Sequence, residues 1–137
     1  MRRLRNKRGE RGASLVEFAI VLPLLVMLLF GIIEFGWAFA QNLEVKHIAR
    51  EVGRIATVGD PDGIIDSRSC SGTIAEVTDV SMAPGSGASG DAATITVTAT
   101  LQQLTGFFSW ALGSVGNLQS AVEVRLEQPF SWVGTSC

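Results

Sequence analysis

Phe18 to Ala40 reads FAIVLPLLVMLLFGIIEFGWAFA, twenty-three residues broken by a single charge, Glu34. At a helical rise of ~1.5 Å per residue the stretch is roughly 34 Å long, enough to cross a ~30 Å hydrocarbon core. Secretory signal cores are shorter, about 7 to 15 residues. Residues 1–12 carry six basic side chains (Arg2, Arg3, Arg5, Lys7, Arg8, Arg11) and one acid, Glu10, whereas residues 13–137 carry five basic and 12 acidic groups. A cationic end before the span and an acidic body after it predict one crossing, with the N-terminus cytoplasmic and the C-terminal part exported. An acid inside such a span costs about 2.5–3.5 kcal/mol at mid-membrane and less near an interface. Glu34 therefore reads as interfacial, beside Trp37 as an aromatic anchor.

Working back from the span, Gly12-Ala-Ser-Leu-Val-Glu17-Phe18 resembles a type IV prepilin processing site, with a short basic leader ending in glycine and a glutamate five residues on. The longer run through Pro23 to Gly31-Ile-Ile-Glu-Phe-Gly36 is similar to TadE-like proteins, the minor pilins or pseudopilins of the Tad/Flp system. The resemblance implies a cut by prepilin peptidase between Gly12 and Ala13, with Glu17 as the assembly and processing glutamate. It implies other pilin-like subunits, the Tad assembly machinery and the lipid bilayer as partners, a role in pilus assembly, adhesion and surface attachment, and a separate cytoplasmic ATPase as energy source. Ala13 departs from the Phe or Met common in major pilins, and the body after the helix is larger than theirs, so the likeness is to a minor pilin. The chemistry is coherent. Cleavage creates a cationic α-amine at Ala13, and in a bundle that amine can neutralise a neighbour's Glu17.

Beyond the span, Val45, Ile48, Ala49, Val52, Ile55 and Ala56 recur at helical spacing, with Glu44, Lys46, Arg50, Glu51 and Arg54 on the other side. The spacing predicts one helix over about Ser14–Val58, stopped by Gly59 and Pro61. Thr94–Leu101 and Val122–Glu127 alternate apolar and polar residues and read as half-buried antiparallel strands, with Glu76–Met82 a weaker third. Leu104–Leu118, with Phe107, Phe108, Trp110 and Leu112, reads as a short helix, either covering the small sheet or lying at the membrane surface. The expected fold is thus α+β: a basic leader (1–12), a long transmembrane and amphipathic helix (13–59), and a small antiparallel sheet domain (60–137). Cys70 and Cys137 are an even pair that fits one disulfide in an exported domain, the alternative being two thiols.

Other chemistries find little support. The two cysteines form no CxxC or CxxH zinc pattern. Asp60-Pro-Asp-Gly-Ile-Ile-Asp66 resembles the start of a calcium loop but lacks its regular ligand positions and closing glutamate. Pro84–Gly90 contains a literal GxGxxG, yet a strand pattern follows it, so it reads as a hairpin loop. His47 is the only histidine and sits among the helix charges. Catalytic, cofactor and metal residues are expected to be absent, as are nucleic-acid and small-molecule partners. Two other readings compete. Ala38-Phe39-Ala40 is an AxA signal, so signal peptidase could release a soluble module starting at Gln41; or the chain could remain an uncleaved single-pass anchor.

Overall fold

The computed structural model describes residues 7–106 and 116–137. One helix, α1 (Lys7–Thr57), accounts for 51 of them, roughly 77 Å of rod at ~1.5 Å per residue. It starts seven residues before the expected Ser14, because nothing between Lys7 and Ala13 stops a helix: the glycines there weaken it by about 1 kcal/mol each but leave the hydrogen-bond ladder intact. Pro23 lies inside it. The end is built as foreseen. Gly59 takes φ +78°, its N–H donates to the Ala56 carbonyl, and the Asp60 N–H donates to the Ile55 carbonyl, which caps the last open carbonyls of the helix.

The chain then makes a short helix, α2 (Ile65–Ser69), and six strands: β1 (Glu76–Ala83), β2 (Ser86–Gly87), β3 (Ala92–Thr100), β4 (Leu118–Arg125), β5 (Phe130–Ser131) and β6 (Gly134–Ser136). Four form an antiparallel sheet in the order β4-β3-β1-β6, and β2 pairs with β5. The fold class is therefore the α+β arrangement that the alternating patterns predict. The Gly-rich stretch is more ordered than a simple hairpin loop, since Ser86 and Gly87 pair with Ser131 and Phe130. The expected element over Leu104–Leu118 falls mostly on residues 107–115, outside the described residues.

The last third of α1 lies across one face of the sheet. Val45, Ile48, Ala49, Val52, Ile55 and Ala56 are buried against Val77, Val80 and Met82 of β1, against Ala93, Ile95, Val97 and Ala99 of β3, and beside Ile65 and Leu126. Small side chains let the layers approach. A methyl group at Gly53 would stand 2.8 Å from Val124 Cγ1, closer than packed carbons come. Cys70 and Cys137 are joined (S–S 2.10 Å, Cα–Cα 5.6 Å) and fasten α2 to the end of the edge strand β6.

Three polar side chains on the same stripe of α1 complete the docking. Glu34 is 8% exposed and accepts from the N–H groups of Leu104 (3.0 Å) and Thr105 (3.1 Å) and from the Thr105 hydroxyl (2.7 Å). Gln41 is fully buried and pairs with the Gln102 backbone in both directions, accepting its N–H at 2.8 Å and donating to its carbonyl at 2.7 Å. Glu44 accepts from the N–H groups of Thr73, Ile74 and Ala75 and from the Thr73 hydroxyl. One expectation is refined here and one corrected. Glu34 does not meet water alone but clamps the loop after β3, because the loop offers it three donors. Glu44 is not on the solvated side but closes the turn before β1.

Burial alone would raise the Glu44 carboxyl, but the Thr73 hydroxyl and the three backbone donors outweigh it and hold the group below the usual 4.5. A depressed carboxylate stabilises the fold above its unfolded pKa and loses that contribution as pH falls through the folded one. Thermal unfolding of the detergent-solubilised chain should accordingly show a Tm that declines below about pH 4.5. Glu44→Ala should lower the Tm at neutral pH by the equivalent of about 1–2 kcal/mol and flatten this acid limb; an unaltered acid limb would remove Glu44 as its source. Glu34→Ala strands three donors and should destabilise the domain by about 2–4 kcal/mol, read as faster amide exchange at Leu104 and Thr105.

Candidate membrane and assembly helix

From Gly12 to Leu29 every side chain except Val26 is exposed. Ile20 is 72% exposed and Leu24 69%. This is one helix long and apolar enough to cross a membrane, with no part of its most apolar window buried in the protein. Leaving that much aliphatic surface in water costs about 25 cal/mol per Å², so the stretch needs lipid or other apolar helices around it. Glu34 marks its upper limit. Residues 12–33 form the bare rod, roughly 33 Å long, and the clamped face begins one residue later. The rod and the domain belong to one unbroken helix, so the height of the domain above the rod is fixed by the register of Glu34, Gln41 and Glu44.

The side chains expected to carry processing lie at the far end. Gly12 and Ala13 are both helical and exposed, and nothing stands within 4 Å of the position a Gly12 Cβ would take. Glu17 sits just over one turn beyond Ala13. It is exposed and has no hydrogen bond or ion pair among the described residues. It is thus an acid at the start of an apolar rod, a placement that is costly in lipid without a partner. Gly12, Ala13 and Glu17 share one end of the rod, well away from the disulfide-linked Cys70 and Cys137.

The remaining sequence candidates have structural work. Asp60 accepts from the Ile64 N–H (2.8 Å) and the Ile65 N–H (3.4 Å), which caps α2. Asp66 accepts from the Trp132 indole N–H at 3.0 Å. No three His, Cys, Asp or Glu side chains among the described residues are grouped to hold a metal ion. His47 is exposed on α1. The clamps at Gln41 and Glu44 escaped the sequence reading. Their signal was present: Glu34, Gln41 and Glu44 fall on the same stripe as Val45, Ile48 and Val52, and a polar residue on an apolar stripe needs a partner across it.

Comparison with known families places this helix. A family model described as TadE-like protein matches residues 12–54. No curated protein and no solved structure gives a match. The matched residues begin at the first bare turn and end in the last turn packed on the sheet, so it is this helix, from rod to docked face, that is similar to TadE-like proteins.

Proposed function

We propose that this chain is a minor pilin or pseudopilin of a Tad pilus system: a structural subunit, not an enzyme, held in the cytoplasmic membrane by α1, with its sheet domain exported. Prepilin peptidase would cut it between Gly12 and Ala13, and the trimmed helix would then pack among other pilin-like helices in work that serves adhesion and surface attachment. The observation that carries this reading is the form of α1, half bare and apolar, half fastened to a folded domain, over the residues that match the TadE-like family. The cationic end before the rod supports a cytoplasmic N-terminus.

The helical state of the Gly12–Ala13 bond sets a condition on the cut. A peptidase reaches a peptide bond most readily in extended backbone, so the first turns of α1 must open. Gly9 and Gly12 lower that barrier, each by about 1 kcal/mol relative to alanine. The competing cut before Gln41 is disfavoured by packing. It would sever a continuous helix at a fully buried residue and discard Glu34 with its three hydrogen bonds to the loop.

N-terminal sequencing of the product decides between these cuts. Cells with the peptidase should yield a chain starting at Ala13, and cells without it one starting at Met1 or Arg2; a product starting at Gln41 would overturn the reading. Once the chain is cut, the Ala13 amine and Glu17 offer opposite charges one helical turn apart, suited to pairing between neighbours. Glu17→Gln should leave membrane insertion intact and reduce incorporation into sheared pili at least tenfold. Unchanged cleavage together with unchanged incorporation would end the pairing role.

A further inference from the structure

Among the described residues, the domain has two uncovered faces of opposite charge, back to back. Beyond residue 12 the chain has only five basic side chains, and three of them, Lys46, Arg50 and Arg54, recur every fourth residue on α1. At 3.6 residues per turn they form one stripe, on the side of the helix roughly opposite Val45, Ile48 and Val52. All three are exposed, and none takes part in an ion pair among the described residues, where the salt bridge is Arg68 to Glu51. The other surface is the side of the sheet turned away from α1. Strand alternation puts Thr94, Thr96, Thr98 and Thr100 of β3 there, flanked by Glu76, Asp79 and Ser81 of β1 and by Gln119, Ala121, Glu123 and Arg125 of β4. The face has three acids and one cation, and that Arg125 is turned to the Gly90 carbonyl by a 2.8 Å hydrogen bond. Short side chains keep the middle of the face flat.

The two surfaces also agree in height. α1 and β4 rise together: Gln41 is fastened at Gln102, Gly53 faces Val124, and the Thr57 carbonyl accepts the Glu127 N–H at 2.9 Å. Glu123 pairs with Thr94 and Asp79 with Thr98, so the two acids are separated along the strands by four residues, roughly 13 Å. Lys46 and Arg54 are separated along the helix by eight residues, roughly 12 Å. Gly53 places Glu123 at the level of Arg54, and Asp79 then lies near the level of Lys46.

We propose that a second copy of this chain docks front to back, the Lys46, Arg50 and Arg54 stripe of one copy lying across the Asp79 and Glu123 face of the next. A two-fold pairing would set like charge against like charge. The front-to-back contact is heterologous, repeats without closing, and keeps all the membrane helices parallel and level, as one bilayer requires. It makes no use of the cut at Gly12, so it holds or fails separately from the pilin reading.

Sedimentation velocity on the full chain in nonionic detergent micelles tests it. The chain should self-associate in 50 mM salt and lose at least tenfold in affinity in 500 mM salt, where the screening length falls well below 10 Å. Lys46→Glu with Arg54→Glu should abolish association, and so should Asp79→Lys with Glu123→Lys. Mixing these two double variants restores opposite charge at every contact and should restore association, which also establishes that both are folded. Association that persists through the charge reversals and through salt would assign it to the apolar rods and overturn the proposal, as would a chain monomeric in 50 mM salt or a mixture that stays dissociated.

Discussion

A carboxylate at the edge of a membrane is stable only when something satisfies it, and Glu34 is satisfied by its own domain. Its oxygens take two backbone N–H groups and a hydroxyl from Leu104 and Thr105. One turn of chain is thereby tied to the helix where the bare rod ends. Gln41 and Glu44 repeat the device further along, each meeting backbone that the sheet ladder leaves open. These contacts are directional where the apolar core is not. The buried valines and isoleucines would tolerate a sliding helix, since burial depends on area; the three clamps admit a single register.

That register gives α1 two solvents. From Phe18 to Ile33 its side chains are apolar on every face, and above Glu34 one stripe is apolar and the opposite one cationic. A helix passing from lipid to a protein surface must change its pattern at a defined residue, and here the change coincides with the first clamp. Because the helix has no break between the two halves, a force on the rod is delivered straight to the domain. A hinge would uncouple them. The disulfide adds to this at the other end of the domain, where β6, a three-residue edge strand, is secured through Cys137 to α2.

Much of this could be read from the residues. The span was legible because twenty-three residues with one charge have few other uses, and the helix stop because Gly59 and Pro61 follow a long periodic run. β3 and β4 were legible from strict alternation. The upstream extension of α1 was not, since residues 7–12 contain neither a cap nor an apolar period to mark a start. The partners of Glu34 and Glu44 were not legible, because an acid's default partner is water; only the chain path beyond Thr100 and before Glu76 supplies their donors. Long-range polar contacts of this kind span 29 to 71 residues of sequence, and local pattern holds no trace of their other half.

The proposed processing end obeys the same electrostatics. Residues 1–12 carry six cations. Drawing them into hydrocarbon would cost about 2.5–3.5 kcal/mol apiece, so on the proposed reading the cationic end resists withdrawal of the rod. The proposed cut after Gly12 would exchange those six cations for one α-amine, within a turn or so of Glu17, whose opposite charge could neutralise it in a neighbouring copy. The rod itself is unchanged by the cut: same length, same apolar faces, same clamps. What changes is the work needed to move it out of the bilayer, and that fall is what would let a membrane protein with a well-packed domain become a subunit of something assembled. The glutamate is then worth its cost in lipid because, of all the charges at this end of the chain, it alone remains beside the new amine.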